Sequence, residues 1–205
     1  MEKEKKIIEY FVGNIFEAKS YYTQWKMIAY AKSITIVGES MVKRYLEIQQ
    51  SYPGFFMTTE RASLISFVTL IHHNFDDTRT DNMSLDKVDK EIYDKFKTEN
   101  FEVIKKLKDV RNKLFAHKSM TVDPKDLEVP SLVDLDNFFV NLEGFFNILN
   151  AKVNNSTTWF DNVYTLKNEI EILYMSIERG EEIRKKEIDI RYLWEENPNK
   201  ISNKI

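Results

Sequence analysis

Between residues 131 and 149 apolar side chains recur at steps of three and four: Leu135, Phe138, Leu142, Phe145 and Leu149. Phe139 and Phe146 widen the stripe. This spacing gathers the side chains on one side of an α-helix but scatters them over both faces of a strand, so the segment is committed to a helix packed along its length. Ser131 with Asp134 three residues later has the form of a capping box and marks where that helix begins.

The same steps recur along the chain. Ile8, Phe11, Ile15, Tyr22, Trp25 and Ile28 predict a first helix, and Val37, Met41, Tyr45 and Ile48 a second that ends at Pro53 and Gly54. Leu64, Val68, Ile71 and Phe75 predict a third, capped by Thr58 or Thr59. Ser84 opens a short helix from Leu85 to Phe96, and another is expected from about Phe101 to His117. The last stripe runs through Val163, Leu166, Ile170, Leu173 and Ile177, with Gly180 predicted to interrupt it ahead of a charged extension. Only 5 Gly and 4 Pro in 205 residues leave few turns, which argues against a turn-rich β-protein and for long helices. The expected architecture is one all-α domain over 1–205: a helical bundle with a four-helix core and additional N- and C-terminal helices. The long C-terminal helix, 160–196, packs within the chain or forms a dimer or partner contact.

Charge is nearly balanced, 30 basic against 33 acidic residues, so no global field draws the protein to nucleic acid or membrane. A polyanion would need a local patch. The absence of cysteine removes disulfides, thiolate metal sites and cysteine nucleophiles. The N-terminal stretch carries charges of both signs, unlike a targeting peptide, and no window reaches the roughly 20 apolar residues of a membrane span. The sequence therefore predicts a soluble, cytoplasmic protein with no membrane partner.

One stretch carries chemistry. In DVRNKLFAHKSM, residues 109–120, Arg111 precedes His117 by six positions. An arginine and a histidine at such spacing are weak evidence by themselves; their placement is more informative. At about 100° per residue, Val103, Leu107, Val110 and Leu114 form a stripe, with His117 at one edge and Arg111 at the other. The structural alternative is a histidine finishing the core and an arginine snorkelling over it. Against it stand Asn112 beside the arginine, Ala116 beside the histidine, and a run of cations. Lys105, Lys106, Lys108, Arg111, Lys113 and Lys118 face a single acid, Asp109, within 105–118. A basic patch around a histidine suits a phosphodiester substrate, although a solvated lysine face gives the same composition.

The run R-N-K-L-F-A-H resembles the Arg–polar–x–x–x–Ala–His signature of HEPN domains, the higher eukaryotes and prokaryotes nucleotide-binding superfamily, and looks most like the abortive-infection U-type branch. Upstream, RASLISFVTLIHHNFDD and MSLDKVDK resemble the order of elements in that branch, so the likeness covers about 58–150. The resemblance implies a dimeric helical fold that cleaves RNA without metal or cofactor, in phage defence or as a toxin, with an antitoxin or another defence protein as candidate partner. Arg111 and His117 would be catalytic and Asn112 a supporting polar residue. Some family toxins carry a modifiable tyrosine two residues after the histidine; here Ser119 stands there.

Metal-free RNA cleavage needs a base for the 2′-hydroxyl, an acid for the leaving 5′-oxygen and a cation for the phosphorane. A histidine serves as either acid or base, and an arginine fork matches phosphate oxygens. One histidine per chain cannot perform both transfers at once, so a homodimer with a composite site is expected. His72 and His73 each precede an acid by four residues, Asp76 and Asp77, a spacing that can bind metal. Adjacent histidines diverge by about 100° on a helix, so no metal site is assigned. Instead His72 or Asp76 is expected near the motif helix as an accessory. Two other readings remain open: a HEPN-like module that binds RNA or nucleotide without cutting it, and a helical protein-interaction partner.

Overall fold

A computed structural model describes residues 2–75, 83–116, 128–160 and 162–187. Among these, eight α-helices form a bundle without strands: α1 (Glu2–Ala29), α2 (Ile34–Val37), α3 (Glu39–Ser51), α4 (Pro53–Asn74), α5 (Lys90–Glu99), α6 (Phe101–Val110), α7 (Leu132–Asn154) and α8 (Asn162–Glu187). A 3-10 turn at Leu85–Lys87 precedes α5, and a π-helical segment, Arg111–Ala116, continues α6. No helix among the described residues is long and apolar enough to cross a membrane.

The core follows from the apolar stripes. Leu135, Phe138, Leu142, Phe145 and Leu149 of α7 are all buried, as are Phe139 and Phe146. They meet Ile8, Phe11 and Ile15 of α1, Phe67, Val68 and Ile71 of α4, Tyr93 and Phe96 of α5, and Leu107 and Val110 of α6. Phe96 stacks on Phe145 with centroids 4.4 Å apart, and Tyr22 stacks on Phe139 at 4.7 Å.

Polar pairs between helices give their directions. Tyr10 bonds to His73 and Asn14 to Asn74, whereas Gln24 bonds to Ser63, so α4 runs antiparallel to α1. Lys19 pairs with Glu143 and Lys26 with Asp136, so α7 also opposes α1. Asp89 pairs with Lys152, Asn141 bonds to Asn100, and Lys106 pairs with Glu128, so α5 and α6 together oppose α7. The four-helix core is therefore up-down-up-down, with α5 and α6 acting as one broken helix that turns at Asn100.

A second, smaller core sits at the end where α1 finishes and α4 starts. Tyr45 of α3 stacks on Tyr174 of α8 at 3.8 Å, and Phe56 of α4 stacks on the same Tyr174 at 5.2 Å. Met27, Ile28, Val37, Ile48 and Ile170 complete it. Arg44 clamps Glu178 with bonds of 2.9 and 2.7 Å, holding α3 to α8.

Several boundaries differ from expectation. Gly38, at φ +83°, splits the predicted second helix into α2 and α3, because that left-handed conformation breaks helical geometry at little cost only for glycine. The third helix starts at Pro53, not at Thr58 or Thr59. Proline at the first helical position gives up no needed N–H, and the Thr59 hydroxyl donates to the Phe55 carbonyl instead of capping. Leu85–Phe96 divides into the 3-10 turn and α5, whose cap is Asp89 accepting from the Ile92 N–H. Helix α8 passes through Gly180 without interruption, since one glycine costs only about 1 kcal/mol and Glu181 beyond it is buried against Tyr52 and Arg184. Its inward face is Ile170 and Tyr174, whereas Leu173 is 47% exposed. The extension of that helix to 196 lies outside the described residues, as does the Asp76–Asn82 stretch.

Candidate functional site

Helix α6 is amphipathic: Leu107 and Val110 are buried, Val103 and Ile104 pack partly against the same core, and Phe101, Lys105 and Lys108 face solvent. The helix forms because its apolar residues recur at three- and four-residue steps, and Glu102 lies in the first turn and Lys108 in the last, as the helix dipole favours.

At Arg111 the backbone changes. The six residues Arg111–Ala116 adopt π-helical hydrogen bonding, i to i+5 instead of i to i+4. A π turn sacrifices packing density within the helix, and such turns concentrate where side chains must be re-aimed. The 100° wheel used for 103–117 therefore holds only to Val110. Arg111 is half-buried beside Val110, at the border of the packed face. Its Nη1 donates to Asn112 Oδ1 at 2.8 Å, which orients the guanidinium along the start of the π segment.

Around this pair the lysines divide by partner. Lys106 is drawn to Glu128 at 3.7 Å and Lys113 to Asp109 at 3.7 Å. Lys105 lies 6.0 Å from the centroid of the Phe101 ring. Lys105 and Lys108 have no carboxylate partner among the described residues. His117, Lys118 and Ser119 lie outside the described residues, as does Asp76.

The accessory histidine falls elsewhere. The π segment and α6 both pack on α4, but α6 runs against α7, and α4 runs against α1. Arg111 is accordingly at the end of the bundle where α4 begins, and His72 near the end where α4 stops. Helix rise separates them by about 20 Å along the axis. His73, next to it, shares a 2.9 Å hydrogen bond with Tyr10 of α1. No group of three His, Asp or Glu side chains that could hold a metal gathers among the described residues.

A concavity of about 690 Å³ is lined by α1, the α2 turn and the first half of α7, with Lys167 of α8 at its edge. Its charged floor is satisfied internally. Lys26 gives 2.7 Å bonds to both oxygens of Asp136, which also accepts from the Tyr22 hydroxyl at 2.7 Å, and Lys19 pairs with Glu143. Burial and the neighbouring Asp136 push the Tyr22 phenol well above its ordinary range. This cleft braces α1 to α7. A smaller pocket of about 370 Å³ opens beside the N-terminus of α6.

Sequence reasoning missed the π segment and the Arg111–Asn112 bond as geometry, although both residues stood out as types. Compared with family models, curated proteins and solved structures, the chain matches none.

Proposed function

We propose that the chain is a metal-independent endoribonuclease of the HEPN type, acting in phage defence or as a toxin, with Arg111 and His117 as its catalytic residues. The observation that carries this reading is half-buried Arg111, its guanidinium tied to Asn112 where α6 turns into a π segment, on a helix whose Lys105 and Lys108 have no carboxylate partner among the described residues. The resemblance of R-N-K-L-F-A-H to the HEPN signature supports it.

In this mechanism His117 takes the proton of a ribose 2′-hydroxyl or returns one to the leaving 5′-oxygen. Arg111 presents its fork to the phosphorane oxygens, with Asn112 limiting the rotamers it samples. Lys105 and Lys108 hold the flanking phosphates. A homodimer that brings two copies of the motif together would supply both proton transfers, and an antitoxin or other defence protein would keep such an enzyme in check. The products would be a 2′,3′-cyclic phosphate and a 5′-hydroxyl, and DNA would stay intact.

The test is cleavage of mixed single-stranded and structured RNA in excess EDTA, wild type beside His117→Ala at matched purity. Cutting by the wild type alone supports the proposal. Equal cutting by both would move the activity elsewhere, and binding without cutting by either would favour a non-catalytic RNA-binding module.

A further inference from the structure

We propose that the pocket at the N-terminus of α6 receives one unstacked nucleobase of a single-stranded RNA, whose backbone then follows a lysine track along α6 to Arg111. This rests on the reading of the protein as one that acts on RNA.

Three features converge there. Phe101, the first residue of α6, is 57% exposed and forms part of the pocket wall, with the Lys105 ammonium 6.0 Å from its ring centroid. Most of the remaining lining is amide or carboxylate, Glu99, Asn100, Glu102, Asp134, Asn137 and Asn141, with Thr98, Val103 and Phe138 completing it. This part of the lining is built, not loose. Asn100 is buried, gives its amide N–H to the Phe96 carbonyl at 3.0 Å and accepts from Asn141 at 3.1 Å, and Asp134 is fixed by Ser131 at 2.7 Å. An aromatic face bordered by hydrogen-bonding groups is how proteins hold splayed-out RNA bases. The volume, about 370 Å³, falls at the small end of the roughly 300–1,000 Å³ of ligand pockets.

Charge says which end of a nucleotide enters. The carboxylates repel phosphate, so the pocket takes the base. The acceptors favour a base edge that carries an amino group, as in adenine, cytosine and guanine, over uracil. From Phe101, steps of four and three lead to Lys105 and Lys108, both exposed on the same side of α6, and four more reach Asn112 at the start of the π segment. The track is about 16 Å long by helix rise, and it ends on the residue that holds Arg111. Neither lysine on it has a carboxylate partner among the described residues, whereas Lys106 and Lys113, off the track, each do.

The experiment measures binding, not cleavage. All variants carry His117→Ala, and fluorescence anisotropy reports the affinity for labelled oligoadenylate, oligocytidylate and oligouridylate of about ten nucleotides in EDTA. The expected order is adenylate and cytidylate over uridylate. Phe101→Ala should weaken the first two by roughly tenfold and erase the preference, whereas Phe101→Tyr should keep it. Asn137→Ala, at an exposed position, should reduce the preference alone. Lys105→Ala should weaken all three alike and lower the salt slope by about one. If Phe101→Ala binds all three as its parent does, the pocket is overturned while the proposed enzyme stands. If the parent binds none of them, the RNA reading falls with it.

Discussion

Asn112 Oδ1 accepts a 2.8 Å hydrogen bond from Nη1 of Arg111, its own neighbour in sequence. Neighbours on an α-helix point about 100° apart, so the bond depends on the reach of the long arginine side chain. Its consequence is a guanidinium with fewer rotamers to lose when phosphate arrives.

That bond makes Asn112 a positioning residue. Asn112→Ala should lower kcat for RNA cleavage by roughly tenfold with a smaller change in KM, because a guanidinium aimed at the phosphorane acts in the transition state. Arg111→Lys should lose far more, since a point charge cannot replace the planar fork. Steady-state kinetics of the two variants check this; a pure KM effect for Asn112→Ala would place it in binding only.

Glu60, on α4, has a carboxyl raised above its ordinary value of 4.5 by burial. A folded-state pKa above the unfolded one means that protonation favours the fold. The contribution is complete below the ordinary value and is lost as pH rises through the folded value. At pH 7 Glu60 is therefore a burden, and Glu60→Gln should raise Tm there. The gain should vanish below the ordinary value, where the glutamate is itself neutral. Thermal melts of both proteins across pH 3.5 to 8 measure it, and a gain independent of pH would contradict the burial argument.

Tyr174 is buried between Tyr45 and Phe56, while the adjacent Leu173 is 47% exposed. Tyr174→Ala should destabilise by about 3–5 kcal/mol, and Leu173→Ala by less than about 0.5 kcal/mol, the usual range of surface substitutions. Urea titrations of the pair separate the two helix faces. Equal losses would rotate α8 away from the orientation described.

This contrast also shows what could be read from residue order. Helix α7 was legible because seven apolar residues, all large, leave one packed face, and because Ser131 and Asp134 do form the reciprocal cap. Helix α8 was half legible. Steps of three and four reach Leu173 or Tyr174 from Ile170 equally well, and only the stacked rings of Tyr45 and Phe56, more than a hundred residues away in sequence, decide between them. Pro53 as a helix start is a local signal that the threonines obscured.

At the candidate site, residue types were legible and geometry was not. Arg111, Asn112 and the lysines stand out by composition, but α- and π-turns draw on the same residues, so the change at Arg111 has no local signature. The relative directions of α4 and α6, which set where His72 lies along the bundle, depend on pairs such as Tyr10–His73 and Asn100–Asn141, which sequence spacing does not reveal.

The most direct test of the central claim is the chemistry of the cut ends. Fragments made in EDTA by the wild type and by Arg111→Ala would be weighed by mass spectrometry. Attack by a 2′-hydroxyl at an Arg111–His117 site predicts 2′,3′-cyclic phosphate and 5′-hydroxyl ends from the wild type, and no fragments from the variant. Ends carrying 3′-hydroxyl and 5′-phosphate, or identical cutting by the variant, would contradict it.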